Sequence, residues 1–243
     1  PVPMRQIIPV GKLPNEVLLS ILKDISADDP SLIVGPGVGE DAAILDLEKV
    51  PIIVVAADPI TFTTGRMGFY SITVNANDIA ASGATPRWFF PVLLFPPETD
   101  ETQVRQTFSE IESAASAIGV TVSGGHTEIT TAVNRPVVSG TMIGAVRKER
   151  LKRTSDIQPG DSIVMTKTAG NEGTAILAKD FADRLQEKGV TPGELKTAAG
   201  FLDRLSILPE AQTAAGIPVV RAMHDVTEGG VATALFELSA ASG

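Results

Sequence analysis

Gly35-Pro36-Gly37-Val38-Gly39-Glu40-Asp41-Ala42-Ala43-Ile44-Leu45 is the stretch around which this chain is organised. Three glycines alternate through a turn, and two carboxylates and a short apolar run follow them. Alternating glycines let backbone N–H groups approach an anion closely. Carboxylates beside such a loop would repel a lone anion, but they can hold Mg²⁺ against a phosphate. The stretch therefore predicts a magnesium–nucleotide site, and a hairpin turn with two solvated acids is the alternative.

The composition is that of an ordinary globular protein. Of the 243 residues, 43% are hydrophobic and 20% are charged, which is enough for a sizeable core. The net charge of −9 argues against nucleic acid or an anionic membrane as a general partner. The absence of cysteine excludes disulfides, thiolate metal sites and a cysteine nucleophile from this chain.

The sequence carries no obvious membrane or export signal. The longest apolar runs, such as Ile52–Ala57 and Trp88–Phe95, are far too short to span a bilayer. The first residues, Pro1 to Met4, lack a charged segment followed by an apolar block. We therefore expect a cytoplasmic location.

Hydrophobic periodicity predicts alternating strands and helices. Strands are predicted at Leu32–Val34, Ala42–Leu45, Ile52–Ala57, Trp88–Phe95, Val120–Ser123, Pro136–Val146 and Ser162–Thr166. Helices are predicted at Val17–Leu22, Met67–Ser82, 100–118, 170–185, 192–208 and Val231–Ala241. Pro91 predicts that its strand is an edge strand or carries a bulge. The first, third, fourth and sixth of these strands are expected to form one small sheet with an apolar face.

Two predicted elements carry carboxylates in unusual places. Asn75, Asp78 and Ser82 form one polar stripe on an otherwise apolar helix. A buried carboxylate needs a partner or a metal, and the stripe has no Lys or Arg, so Asp78 is predicted to face a cation. Asp58 follows a β-branched strand and precedes Pro59, which marks either a site residue or the start of a turn.

Two glycine pairs follow or precede predicted elements. Gly124-Gly125-His126-Thr127-Glu128 comes after a strand, and its glycines permit tight backbone approach to a ligand. His126 is a ligand, a phosphate contact or a turn residue. Thr227-Glu228-Gly229-Gly230 precedes a helix, where unpaired N–H groups favour an anion, with an N-cap at Thr227 as the alternative. Gly229 is expected to accept other residues without loss of the fold.

Six short motifs in this order resemble the aminoimidazole ribonucleotide (AIR) synthase superfamily, over nearly the whole chain. The superfamily includes AIR synthase, formylglycinamidine ribonucleotide synthetase, selenophosphate synthetase, thiamine-monophosphate kinase and the hydrogenase maturation factor HypE. The last motif looks most like that of HypE. The motifs are Gly39-Glu40-Asp41-Ala42-Ala43, Ala57-Asp58, Asn77-Asp78-Ile79-Ala80, Gly83-Ala84-Thr85-Pro86, Gly124-Gly125-His126-Thr127 and His224-Asp225-Val226-Thr227-Glu228-Gly229-Gly230.

The resemblance implies a two-domain fold of the α/β (α+β) class. Residues 1–150 would form an ATP-binding domain whose mixed sheet pairs across a homodimer into a barrel. Residues 151–243 would begin a second α/β domain, and because the family's second domain continues further, we expect it to be incomplete here. ATP and Mg²⁺ are the implied cofactors.

The resemblance also implies roles for individual residues. Asp41, Asp58 and Asp78 would hold the metal, and Asp41, Asp78 and His126 would take part in catalysis. The remaining nucleotide-binding positions would be Gly37, Gly39, Asn75, Gly124, Gly125, Thr127, Thr227, Gly229 and Gly230.

The implied activity is transfer of the γ-phosphoryl group of ATP to an oxygen, often that of a carboxamide, on a small-molecule or protein acceptor. This sequence departs from the family pattern in three places. His126 stands where relatives often have an acid, which Glu128 could replace; Glu40 stands where many have aspartate; and the cysteine on which HypE acts is absent. Two alternatives remain: a small-molecule kinase resembling thiamine-monophosphate kinase, and a nucleotide-binding assembly or regulatory subunit without turnover.

Overall fold

A computed structural model describes residues 8, 11–12, 14–25, 29, 32–34, 44–45, 52–63, 65–227 and 229–242. The described chain divides into two compact units. Unit 1 comprises residues 1–79 and 85–147, and unit 2 comprises residues 80–84 and 148–243. No helix in these ranges combines the length and the hydropathy that a membrane span requires.

Eight strands and eight α-helices occur in the described ranges. The strands are β1 Gly11–Lys12, β2 Leu32–Val34, β3 Ile44–Leu45, β4 Ile52–Ile60, β5 Thr85–Phe95, β6 Thr121–Val122, β7 His126–Ile129 and β8 Val137–Val146. The helices are α1 Asn15–Leu22, α2 Met67–Ala81, α3 Glu101–Ala117, α4 Asn171–Asp180, α5 Ala182–Glu187, α6 Pro192–Ala199, α7 Leu208–Ala215 and α8 Gly230–Ser242. Short 3₁₀ helices lie at Lys148–Arg150, Thr154–Asp156 and Gly200–Arg204.

Unit 1 is built on a six-stranded mixed sheet, and a mixed sheet is what the family resemblance implies. Its order is β1-β7-β5-β8-β4, with β6 also paired to β5. β5 runs parallel to β6 and β7 and antiparallel to β8. The sheet is open within the described chain, with β1 and β4 at its edges. The prediction that Leu32–Val34 joins this sheet is wrong, because β2 pairs with β3 in a separate two-stranded sheet.

The two faces of the large sheet differ in what covers them. On the inner face, Gly144 lies against Ile79 of α2, and the buried side chains of β8, such as Met142, alternate with partly exposed ones. On the outer face, β4 leaves every second side chain exposed, and Val55 is 59% exposed. Apolar side chains on the outer face of a paired strand leave a surface that water solvates poorly.

Pro91 lies in the centre of the sheet, so the prediction of an edge strand is wrong. The irregularity that β5 carries against β8 lies between Pro86 and Trp88, not at Pro91. Phe89 pairs with Val122, and Val92 pairs with His126. Two residues of β5 therefore face three residues between β6 and β7, where the neighbouring strand is interrupted. A gap in the ladder costs little here, because proline has no N–H group to pair.

The predicted strand Ser162–Thr166 of unit 2 does not form. Its apolar residues Ile163, Val164 and Met165 are 71%, 83% and 54% exposed. The described residues place no strand beside this segment, and a lone strand cannot satisfy its backbone groups within the protein.

The helical part of unit 2 also differs from the prediction in its boundaries. The helix predicted over 170–185 is divided into α4 and α5 at Phe181. The helix predicted over 192–208 is α6 followed by a 3₁₀ turn, and α7 was not predicted. Lys152 is only 7% exposed, and its ammonium group donates to the carbonyl oxygens of Ile217 (3.2 Å) and Val220 (2.7 Å).

Candidate functional site

A buried asparagine joins strand β4 to helix α2. The side-chain oxygen of Asn75 accepts a hydrogen bond from the backbone N–H of Asp58 (2.9 Å). Its amide nitrogen donates to the carbonyl oxygens of Asp58 (3.3 Å) and Ser71 (2.8 Å). Because Asn75 is fully buried, these bonds replace the water that the amide loses. Asn75 thus clamps Asp58 from both sides, and we call this arrangement the Asn75 clamp.

Asp58 and Asp78 lie on either side of this clamp. Asp58 is in β4 two residues before the strand ends, and Pro59 is tolerated beside it because β4 is an edge strand. Asp78 lies one helical turn beyond Asn75 on α2. Both aspartates are half-buried.

The described residues account for only part of the predicted metal site. Asp41, together with Gly37 and Gly39, lies outside them. Within the described ranges, no group of three or more histidine, aspartate or glutamate side chains is placed to hold a metal ion. The two described acids, Asp58 and Asp78, offer the hard oxygen donors that Mg²⁺ prefers, and they fit a site completed by further oxygen ligands.

His126 lies on a different face of the sheet from Asp58. It is exposed in β7, in register with the exposed Val92 of β5. Its Nε2 atom is 3.5 Å from Oε2 of Glu128, which projects on the same side of the strand. Thr127 is buried between them on the inner face. The structure therefore places His126 and Glu128 on the outer face, while Asp58 is joined to α2 on the inner one.

The second glycine of the pair before His126 is needed by the sheet itself. Gly125 has φ +148°, and a Cβ atom there would lie 2.3 Å from the carbonyl oxygen of Pro91. The sequence predicts a close approach of this backbone to a ligand at Gly124 and Gly125. The close approach that the structure contains at Gly125 is to the neighbouring strand β5.

The second glycine pair precedes α8 in unit 2. Thr227 is exposed, and its carbonyl oxygen accepts from the N–H of Gly230 (3.1 Å). Gly229 has φ +81°, and a Cβ atom there would lie 1.9 Å from Oγ1 of Thr233. The expectation that Gly229 accepts other residues is therefore wrong, because the position is left-handed and already filled.

Family models match both parts of the chain. Residues 39–146 match the N-terminal domain of AIR synthase related proteins, and residues 158–243 match their C-terminal domain. The chain belongs to the AIR synthase-related family. The first match includes Asp41, Asp58 and Asp78, and the second includes the glycine pair before α8.

Several relatives within the family are similar over most of this chain. It is 28% identical to carbamoyl dehydratase HypE of Escherichia coli (strain K12) over 76% of this chain and 53% of that protein. It is 29% identical to selenide, water dikinase of Dechloromonas aromatica (strain RCB) over 96% of this chain and 65% of that protein. It thus spans about half to two thirds of the length of these relatives.

A solved structure confirms the family fold. The crystal structure of hydrogenase maturation protein HypE in complex with ATP superposes with a TM-score of 0.71 at 23% identity. The alignment covers 93% of this chain and 65% of that one. Because the alignment covers nearly the whole chain, both units share the α/β fold of that structure.

The family motif before α8 contains a contact that the spacing did not predict. Nε2 of His224 lies 2.8 Å from Oε2 of Glu237 on α8, thirteen residues further along the chain. Nδ1 of His224 lies 3.7 Å from a carboxylate oxygen of Asp225. A separation of thirteen residues across a loop and a helix carries no periodic signal, so only the fold reveals this pair.

Proposed function

We propose that this chain binds Mg·ATP through Asp41, Asp58 and Asp78 and transfers the γ-phosphoryl group to an oxygen of a carboxamide acceptor. The observation that carries the proposal is the Asn75 clamp, which fixes the backbone of Asp58 against α2 one turn from Asp78. A buried amide that uses both its donor and its acceptor on one carboxylate-bearing residue positions that residue firmly.

The residues of the clamp supply positioning. Phosphoryl transfer has little covalent chemistry for a protein to perform, so the main requirements are orientation and charge neutralisation. Mg²⁺, when bound, would neutralise the charge on the phosphate oxygens. Asp58 and Asp78, and Asp41 from the glycine loop, would hold that ion on the inner side of the sheet.

The reaction balances without an oxidant or a covalent protein intermediate. The bond between the γ-phosphorus and the bridging oxygen breaks, and ADP leaves with that electron pair. The acceptor oxygen forms the new bond to the γ-phosphorus. The similarity to HypE, a carbamoyl dehydratase with a structure in complex with ATP, supports this acceptor class and this nucleotide.

A small-molecule kinase is the second candidate function. It would use the same acids with a different acceptor, and the similarity to selenide, water dikinase favours it. The reaction products distinguish the two functions. A kinase releases a stable phosphorylated small molecule, whereas carboxamide activation ends in loss of phosphate from the acceptor.

The nucleotide site is tested by calorimetric titration of Mg·ATP into the wild type and Asp78→Asn. Loss of one charge-assisted contact is worth roughly 1.5–3 kcal/mol, so affinity should fall by about tenfold or more. Asp24→Asn is the matched control, because Asp24 is an exposed acid of unit 1 and its loss changes the net charge equally. Equal affinity in all three proteins would refute the site.

We also propose that unit 1 forms a homodimer through the outer face of its sheet. Val55 and Ile53 of β4 and Val92 of β5 are exposed apolar side chains on that face. Pairing two such faces would remove this surface from water and would enclose His126 and Glu128 near its border.

Light scattering at micromolar concentration tests the homodimer. Val55→Asp should lower the mass from two chains to one, because a carboxylate would be buried there without a partner. Val219→Asp is the control, since Val219 is 84% exposed and belongs to unit 2. A monomeric wild type, or a Val55→Asp variant that keeps the mass of a dimer, would overturn the proposal.

A further inference from the structure

A cavity of about 350 Å³ opens at the end of the sheet where β4 stops and β8 begins. The last residue pair of these strands is Ile60 with Val138, and the cavity begins directly beyond it. Its volume lies within the range of small-molecule sites, and it is open to solvent. Its main lining residues are Thr61, Thr131, Val133, Asn134, Arg135 and Val137.

The cavity wall offers donors and one positive charge. Thr61 and Thr131 supply hydroxyl groups from two different segments, and Asn134 supplies an amide. Arg135 supplies a guanidinium with five N–H donors. Among the residues that the structure describes, the lining contains no carboxylate. Donors from separate segments that line one cavity together with a guanidinium suit a group with several acceptor oxygens.

Arg135 is available for such a ligand. The structure gives it no ion pair and no hydrogen bond with any described residue, and it is exposed at the rim. Arg87, Arg105 and Arg153, by contrast, are each paired with a carboxylate. Arginine is well suited to phosphate because its planar fork forms two parallel hydrogen bonds.

We propose that this cavity binds the phosphate group of a small molecule, with Arg135 as its main contact. Asp58 precedes Thr61 by three residues, so the cavity lies about 10 Å along the chain from the Asn75 clamp. The phosphate could belong to the nucleotide or to a second molecule. Binding of phosphate at the cavity does not depend on the proposed phosphoryl transfer.

The first experiment titrates inorganic phosphate into isotope-labelled protein, with chloride at equal ionic strength as the reference. The backbone amide signals of residues 131–135 should shift with phosphate and not with chloride. Arg135→Gln should weaken this binding about tenfold, as expected for loss of a charge-assisted pair. Arg135→Lys should lie between the two, because it keeps the charge and loses the fork.

Arg147→Gln is the matched control, because Arg147 is exposed in unit 1 beyond the far end of β8. It removes the same charge and should leave the phosphate affinity unchanged. Equal weakening in Arg135→Gln and Arg147→Gln would overturn the site, since the effect would then reflect net charge alone. Phosphate shifts that are absent from residues 131–135 would also overturn it.

The second experiment identifies the source of the phosphate by repeating the titration with saturating Mg·ATP. If a second molecule supplies the phosphate, both ligands bind together; if the nucleotide supplies it, ATP displaces inorganic phosphate. Asp78→Asn separates this inference from the proposed function. It should weaken Mg·ATP binding and leave the phosphate affinity at the cavity unchanged, whereas Arg135→Gln should weaken that phosphate binding about tenfold.

Discussion

Strand β8 of unit 1 and the segment Ser162–Thr166 of unit 2 are both apolar runs, and only one of them is a strand. β8 is paired on both sides, by β4 and β5, and every second side chain is buried. Ser162–Thr166 has no neighbouring strand among the described residues, and its apolar side chains face solvent. A run of apolar residues thus favours an extended backbone, but a β-strand forms only where a neighbouring strand is available to pair with it.

The cores of the two units differ in the size of their buried side chains. The largest fully buried side chains, led by Trp88, Phe89 and Phe95, belong mostly to unit 1. The buried apolar residues of the unit 2 helices are mostly alanines, such as Ala175 and Ala211. Each alanine removes far less apolar surface from water than an aromatic ring does. We therefore expect unit 1 to tolerate added volume poorly and unit 2 to tolerate it well.

The largest effect is expected from a substitution at a glycine of β8, which tests the difference in core packing between the two units. A Cβ atom at Gly144 would lie 2.2 Å from Cγ2 of Ile79 and 2.9 Å from the backbone oxygen of Thr85. Gly144→Val should therefore lower the free energy of unfolding of unit 1 by about 3 kcal/mol. Fluorescence of Trp88, the single tryptophan of the chain, reports this transition.

Gly173→Ala in α4 is the matched substitution in unit 2. An added Cβ atom at Gly173 meets nothing within 4 Å. Alanine should stabilise this helix by about 0.5–1 kcal/mol and leave the Trp88 transition unmoved. If both substitutions destabilise the protein equally, the contrast in packing between the units is wrong.

The second effect concerns the Asn75 clamp. Asn75→Leu would leave the N–H of Asp58 without its partner, which should cost about 2 kcal/mol of unfolding free energy. Ser71→Ala is the comparison: Asn75 keeps its bond to the backbone oxygen of residue 71, and the change removes only the bond from the Ser71 hydroxyl to the carbonyl oxygen of Gly68, so it should cost less. Urea denaturation followed at Trp88 should separate the two variants, and equal midpoints would contradict the importance of the clamp.

The smallest effect is at the start of α6 in unit 2. Thr191 and Glu194 form a capping box: Oγ1 of Thr191 accepts from the Glu194 N–H (3.3 Å), and Oε2 of Glu194 accepts from the Thr191 N–H (2.8 Å). Thr191→Ala should cost about 1 kcal/mol of unfolding free energy, measured by far-UV circular dichroism.

That effect should depend on pH in a defined direction. The backbone N–H of Thr191, and then its hydroxyl, hold the pKa of the Glu194 carboxyl below its ordinary value of 4.5. A carboxyl group whose pKa is lowered by folding stabilises the folded state at pH values above its ordinary pKa. This stabilisation is lost as the pH falls through the lowered pKa of the folded state. Alanine keeps the backbone N–H and removes only the hydroxyl bond, so the difference between Thr191→Ala and the wild type should shrink slightly below pH 4. A difference that grows as the pH falls would contradict this.

Local sequence signals predicted the long elements of unit 1, because its strong periodicities agree with its tertiary contacts, but they missed the short strands β1 and β7. The helix at Met67–Ala81 and the strand at Val137–Val146 appear within one or two residues of their predicted bounds. The pairing of Leu32–Val34 was wrong, because which strands become neighbours is decided by contacts distant in sequence.

The sequence predicted those parts of the candidate site that lie on a single helix or strand. The stripe of Asn75 and Asp78 follows from helical spacing alone, and the structure places Asn75 against Asp58. The separation of His126 from Asp58 was not predictable, because it depends on the register of β7 with β5 and of β4 with β8. A shift of one residue in either register would have moved the side chain of His126 or of Asp58 to the opposite face of the sheet.

The buried ammonium group of Lys152 makes this residue a natural label for motion within unit 2. An amine-reactive reagent needs an accessible lone pair, and Nζ of Lys152 is engaged with two carbonyl oxygens away from solvent. Exposed lysines such as Lys188 should be acylated within the first minutes, whereas Lys152 should be modified only as unit 2 opens. The rate at which mass spectrometry detects acylated Lys152 would then time the opening of this unit without any engineered probe.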